Sequence, residues 1–512
     1  MSSSRTSKVA KNTVMLYIRM AFTMLVSLYT SRVVLNTLGV VDYGINNVVG
    51  GTVTFLTFLV FSMNTATQRF LNVAMGKNDE EEVRHVFSIS VTIHFIILVF
   101  VLIIGEIVGL WLLYNKLVIP ADRMTAAFWL FQFTMVSTCT TIMSIPYNAE
   151  VIAHEKMGIY AWLSMLDVVL KLVVVYLLVL SPADKLITFG FLTMCTFILN
   201  RTLYTIYCKR NFKECKYSIH FPRKLFKEMV VFASWDLFGV FAWACATQGA
   251  TILLNMFFGP TVNAARGIAG TVLGAVKGFS GNFTTALNPA ITKAYAAKDF
   301  SYMNKLMYSG SKLVFILLFT IMLPLFIKCH YVLELWLKIV PEYSVSFIRI
   351  LLVQTLIVTM WTPVFISGIA TGKLKTFGVI TSSLNILQIV VCYIILKLGV
   401  QPVETILSLA LWEIIAYSIQ FFTLKKLIEF HFCQYALKVL FRAFIVVIVV
   451  GIPAVYFGNY LSDTFWHLMY TCLVACSLSL LFSFFILLDK SEKSFVMAKI
   501  LKKHSYEGNK EN

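Results

Sequence analysis

The sequence predicts an all-α polytopic membrane protein of about 14 transmembrane helices, and three observations carry that prediction. Of 512 residues, 59% are hydrophobic and only 13% charged, with a mean hydropathy of +0.80. A soluble domain runs at about 25% charged because water must wet its surface, so half that fraction makes lipid the solvent for most of the chain. The apolar stretches are continuous over about 20 residues, the length of a membrane-spanning helix, and do not alternate over about ten residues as barrel strands would. The cations are also segregated: with the N-terminus in the cytoplasm, 29 of the 43 Lys and Arg fall in the inside segments or at the span ends flanking them, and 6 fall outside.

The spans follow one another in order. The opening MSSSRTSKVAKN is polar and basic, and the apolar run after it is too long and poorly bounded for a cleaved signal peptide, so it stays as span one at 13–37. Spans two to six are placed at 44–70, 86–113, 126–149, 159–180 and 186–207. The most basic inside segment, KRNFKECKYSIHFPRKLFKE at 209–228, separates them from spans seven to twelve at 228–257, 263–289, 306–329, 344–370, 377–397 and 403–424. Spans thirteen and fourteen, 438–457 and 466–488, close the chain. Spans two and eight are the most polar. Both termini are then cytoplasmic, so cysteines introduced into the 209–228 loop or the C-terminal tail are expected to resist an impermeant thiol reagent in intact cells; labelling at either overturns the helix count.

The two sides of the basic linker resemble each other. VVLNTLG around Asn36 matches ILLNMFFG around Asn255, and at an offset of 219 to 221 Gly50 or Gly51 meets Gly270, Thr65-Ala66 meets Thr285-Ala286, and GKND at 76–79 meets AAKD at 296–299. Corresponding spans run in the same direction, which gives two parallel six-helix bundles, 1–208 and 228–424, joined by the linker 209–227. Helices thirteen and fourteen (425–488) and a cytoplasmic tail (489–512) follow.

KNTVMLYIRMAFTMLVSLYTSRVVLNTLGVVDYGINNVVGG, with NTATQRFLN after it, resembles the polysaccharide-biosynthesis branch of the multidrug/oligosaccharidyl-lipid/polysaccharide (MOP) exporter superfamily, the Wzx-type flippases. The resemblance implies a V-shaped, MATE-like pair of bundles that passes substrate by alternating access. The implied substrate is an oligosaccharide repeat unit on undecaprenyl pyrophosphate, moved from the cytoplasmic to the periplasmic leaflet of a bacterial inner membrane for O-antigen, capsule or exopolysaccharide assembly. Partners implied are the lipid bilayer and the polymerase and glycosyltransferases of the same pathway.

An anionic head group asks for cations, and a cation at a helix centre costs about 2.5–3.5 kcal/mol on insertion scales. Candidates for a cationic cavity are Arg19 and Arg32 in span one, Lys171 in span five, Arg266 and Lys277 in span eight, and Arg349 in span ten. Arg266 and Lys277 are eleven residues apart, about three turns, so they share a face. Each has a plainer reading. Arg19, Arg32, Arg266 and Arg349 are close enough to span ends to snorkel, and Lys171 has Asp167 four residues earlier. Lys277 is mid-span with no acid on its own helix. The acids suited to ion coupling are Asp236 and Glu413, with Glu106 and Asp167 as further intramembrane carboxylates.

Gly270, Gly274 and Gly278 form a small-residue ridge of the kind that packs helices, and Pro324 and Pro363 can kink theirs. There is no phosphate-binding loop, since TGKLKT at 371–376 lacks the spacing, and neither HExxH nor GxSxG occurs. The reading is a non-enzyme without metal or cofactor, coupled to a proton or sodium gradient, and the net charge of +18 reports topology and not nucleic acid. Two alternatives stay open. A MATE-type drug antiporter wants an acidic cavity with few buried cations, and a polytopic polysaccharide polymerase wants a large loop where the longest here is about 20 residues.

Overall fold

In lipid every backbone N–H and C=O must find its partner inside the chain, which leaves helices as the form for long apolar runs. A computed structural model describes residues 2–494 and 497, apart from 56–57, 77–78, 155, 219–221, 371–373 and 426–429. Among the described residues there is helix throughout and no strand. Eleven helices are long and apolar enough to cross a membrane, or twelve when a bent pair counts as one span. The other two predicted spans are helical as well. Span two continues span one within Ser2–Phe55 and runs on as Phe58–Gly76, and span eight is Pro260–Ala296, whose polar composition hides it from a hydropathy count. The arrangement is compatible with fourteen spans.

The bent pair is span ten, where Ser344–Met360 and Thr362–Gly368 meet at 43°. Pro363 stands just after the break, where its missing N–H and its ring interrupt the helical ladder. Pro324, by contrast, sits in the last turn of Phe300–Ile327 and leaves that helix unbroken.

Helix ends are built from the residues that suit them. Asp79 accepts a hydrogen bond from the Glu82 N–H at 2.9 Å to cap span three, and Asp299 accepts from the Tyr302 N–H at 2.9 Å to cap span nine. Span one turns into span two at Gly39 (φ 79°, ψ 171°), and span seven turns into span eight at Gly259 (φ 80°, ψ −171°). This left-handed backbone, and no lack of room, demands glycine: a Cβ on Gly39 would meet nothing within 4 Å. Both pairs, Gly39 with Gly259 and Asp79 with Asp299, stand 220 residues apart, so the repeat offset read from sequence coincides with matched backbone structure. Lys77 and Asn78 of the GKND match lie outside the described residues, as does the 371–373 part of TGKLKT.

By packing, the chain forms two compact units: the described parts of Met1–Thr271, Leu337–Ser344 and Thr381–Thr405, and of Val272–Trp336, Val345–Ile380 and Ile406–Asn512. The six-plus-six division concerns internal repetition, whereas these units concern contact. In the first unit, Met124–Ala153 packs along Lys185–Asn211, and Phe58–Gly76 along Arg223–Ala244. Its cores gather Ile45, Val49, Phe131 and Leu186 in one place and Met63, Leu71, Ile89 and Met229 in another. In the second unit, Phe300–Ile327 packs against Phe465–Phe482, around a core of Phe315, Phe319, Trp361, Phe421 and Tyr435. The Tyr435 hydroxyl donates to Met360 O at 3.0 Å, which places the helical turn Phe432–Tyr435, just before span thirteen, against the broken tenth.

Candidate functional site

Pro260–Ala296 is polar enough to be a poor membrane helix, and its exposed face explains why. Gly270, Gly274 and Lys277 are all exposed, and a Cβ added at either glycine would meet no atom within 4 Å. At Gly270 and Gly274 the ridge meets no neighbour, whereas Gly278 is half-buried. No ion pair to Lys277 occurs among the described residues.

The other predicted cations are accounted for differently. Arg266 lies in the first unit and Lys277 in the second, so a continuous track between them rests on sequence spacing alone. Arg266 donates from Nε to Thr251 Oγ1 at 3.0 Å and from its Nη2 to Thr247 O at 3.2 Å. Thr247 belongs to a π-helical turn, Cys245–Gly249, whose widened geometry turns carbonyls out of the helical ladder. Arg349 donates to Phe326 O at 3.1 Å and to Ile327 O at 3.4 Å, and lies 5.5 Å from the Phe326 ring. It thus caps the last carbonyls of Phe300–Ile327, where a cation also meets the negative end of the helix. Lys171 pairs with Asp167 at 2.8 Å, and Asn200 donates to the same carboxylate at 3.3 Å. Arg32 is half-buried in the first helix. Arg19 and Asp236 lie in helices, but their side chains are outside the described residues.

The carboxylates have polar partners. Glu413 accepts from the Gln354 amide, both within the second unit, and Glu106 accepts from Gln132 Nε2 at 3.1 Å in the first. In each case the described partner is an amide, which donates a hydrogen bond and brings no charge of its own. His94 is buried, with Nδ1 2.8 Å from Ser90 O, and is a packed polar residue.

Three features escape sequence reasoning. At the ends of spans two and seven a cavity of about 650 Å³ is lined by Arg69, Lys224, Lys227, Glu228, Phe70 and Phe232, with Arg69 stacked 4.4 Å over the Phe232 ring. These cations count as inside charges in a topology reading, and nothing in their spacing says that they converge. At the opposite end of the first unit, Arg123 bridges Asp42 at 2.5 Å and Asp184 at 2.6 Å. Burial pulls the Asp184 carboxyl upward, but hydrogen bonds from Arg123 and from the Ile187 and Leu186 N–H groups outweigh it and leave the pKa below its ordinary value. In the second unit the fully buried Lys312 is held by Asp489 at 2.6 Å and Glu492 at 3.0 Å, and Arg442 shares Asp489 at 2.6 Å.

No protein-family model matches the sequence, and no curated protein does either. Solved structures do. A structure described as lipid II flippase MurJ in an inward closed conformation superposes with a TM-score of 0.67 at 14% identity, covering 92% of this chain and 98% of that one. An inward-facing multidrug resistance MATE family transporter of the MOP superfamily gives 0.63 at 12% identity, covering 80% and 97%. A MOP superfamily transporter from Pyrococcus furiosus, described by the reverse polarity of its binding pocket, gives 0.56 at 14% identity, covering 81% and 95%. At these identities the likeness establishes the fold, and the fold is that of MATE and lipid flippase structures.

Proposed function

We propose that this chain is a flippase that carries undecaprenyl-pyrophosphate-linked oligosaccharide from the cytoplasmic to the periplasmic leaflet of a bacterial inner membrane by alternating access, for O-antigen, capsule or exopolysaccharide assembly. The observation that carries the reading is the exposed stretch of Pro260–Ala296 at Gly274 and Lys277, where Lys277 has no ion pair among the described residues: it offers a positive charge to a passing anion where an organic-cation carrier would offer a carboxylate. The fold likeness supports the choice, since the lipid flippase structure covers 92% of this chain and the MATE structure 80%. The cavity lined by Arg69, Lys224 and Lys227, with Glu228 and aromatic walls, offers more cations than acids to a pyrophosphate joined to a lipid, and with the N-terminus in the cytoplasm it would face the side where the substrate is loaded.

The cycle needs a bias, because the chain carries no nucleotide-binding motif. One elementary charge moved through 100 mV releases about 2.3 kcal/mol, and Asp236 and Glu413 are the carboxylates assigned to receive it. The test is flipping of a lipid-linked oligosaccharide in reconstituted vesicles under an imposed proton or sodium gradient. The wild-type chain is expected to flip this lipid in preference to organic cations. Asp236→Asn and Glu413→Gln are expected to slow transport and flatten its dependence on the gradient. Unchanged gradient dependence in both variants removes these acids from the mechanism, and transport of organic cations instead of the lipid moves the chain to the drug-antiporter reading.

A further inference from the structure

Among the described residues Glu150 is the most deeply buried carboxylate, and nothing in the flippase cycle uses it. Its side chain is 0% exposed, and neither Oε1 nor Oε2 has a hydrogen-bond partner among the described residues. Neither protonation state resolves this: the anion lacks donors and the neutral acid lacks an acceptor for its proton, and either way the cost is that of a buried unsatisfied group. One helical turn later, His154 presents Nε2 at 3.7 Å from Glu150 Oε2 and at 2.5 Å from Glu214 Oε1. The three donor atoms lie within 4.8 Å of one another.

We propose that Glu150, His154 and Glu214 form a binding site for a divalent transition-metal ion of the zinc class. Zinc bonds of about 2.0–2.2 Å to nitrogen and oxygen set neighbouring donors around a tetrahedral ion about 3.4 Å apart, a spacing that the present distances bracket. The imidazole selects zinc-like ions over magnesium and calcium, which take oxygen ligands. The surroundings orient the ligands. His154 is the capping residue at the C-terminus of Met124–Ala153, where the helix dipole favours a cation, and its ring stacks on Phe212 at 4.0 Å with an interplanar angle of 4°. His154 and Glu214 are 28% and 16% exposed, which leaves the ion a path of entry. Glu150 and His154 come from the C-terminal end and cap of Met124–Ala153, whereas Glu214 comes from the linker after span six, so the ion pins the beginning of that linker to the end of that helix.

The test uses the full chain in detergent, without a polyhistidine tag, stripped with chelator and then titrated with Zn²⁺. Metal content after desalting and the thermal unfolding midpoint are the two readouts. One equivalent of Zn²⁺ is expected to stay bound and to raise the midpoint, while Mg²⁺ does neither. Glu150→Gln and His154→Ala should each lose the bound equivalent and the rise. His330→Ala, at an exposed pair with Glu334, should keep both. Glu214→Gln, on the partly exposed linker, replaces either variant that fails to accumulate. A wild-type chain that retains no Zn²⁺, or variants that retain it undiminished, overturns the site.

Discussion

Lys277→Ala is expected to abolish surface polysaccharide while the protein's abundance in the membrane stays unchanged. Lys277 is exposed, with no ion pair among the described residues, so its removal leaves no cavity and the folded chain has little to lose. What disappears is a charge-assisted contact to the pyrophosphate, worth about 1.5–3 kcal/mol, or roughly a tenfold to hundredfold weaker half-saturation in a vesicle assay. Lys277→Arg should restore part of the activity, since it keeps the charge and changes the donor geometry. Full transport by the alanine variant would leave Lys277 as a solvated residue.

The second large effect is on stability. Lys312 is 0% exposed, while Asp489 and Glu492 are 39% and 16% exposed, so the two sides of this cluster are not equivalent. Replacing both acids as Asp489→Asn with Glu492→Gln strands a buried ammonium, a defect that costs about 3–5 kcal/mol when a pair is fully buried, and toward the lower end here because Asp489 reaches water. Lys312→Met should cost less, because the carboxylates that remain can hydrate and Asp489 keeps Arg442 at 2.6 Å. Unfolding of the purified protein, followed by heat or denaturant, separates the two.

The same cluster sets a pH dependence. Burial acts to raise the Asp489 pKa, but hydrogen bonds from Lys312 and Arg442 prevail and hold it below its ordinary 3.8. A carboxyl depressed on folding contributes its stability fully above the unfolded value and loses it as pH falls through the folded one. Resistance to unfolding should therefore drop below about pH 4 in the wild type, and the drop should be smaller in Asp489→Asn.

The spans were legible because a bilayer imposes one length and one hydropathy on every crossing segment, and the charge segregation tested their number. Spans two and eight, the most polar, were placed from sequence as well, and in span eight the polarity accompanies the exposed stretch that carries Lys277. The Lys171–Asp167 pair was legible too, since partners four residues apart on a helix need no tertiary information. Arg349 was ambiguous from sequence between an end-placed snorkelling residue and a site residue, and the carbonyls of Phe326 and Ile327 that it caps belong to another helix. Glu413 with Gln354, Lys312 with Asp489, and Arg69 with Lys224 join residues far apart in the chain, and no periodicity records such meetings. The repeat offset, by contrast, pointed to Gly39 and Gly259 through their neighbouring asparagines, although their backbone geometry appears only in the structure.

Gly39 and Gly259 have a mechanical consequence. A loop of several residues absorbs the rotation of one helix before the next one feels it. A single residue between two helices has two torsions and no slack, so it behaves as an elbow: torque applied to one arm arrives at the other. A tilt of span one must carry span two with it, and a tilt of span seven must carry span eight, along with the lysine that span eight presents. Under the proposed alternating access, these two glycines would act as transmission shafts, converting displacement at one end of a helical arm into displacement of the charged face on the next.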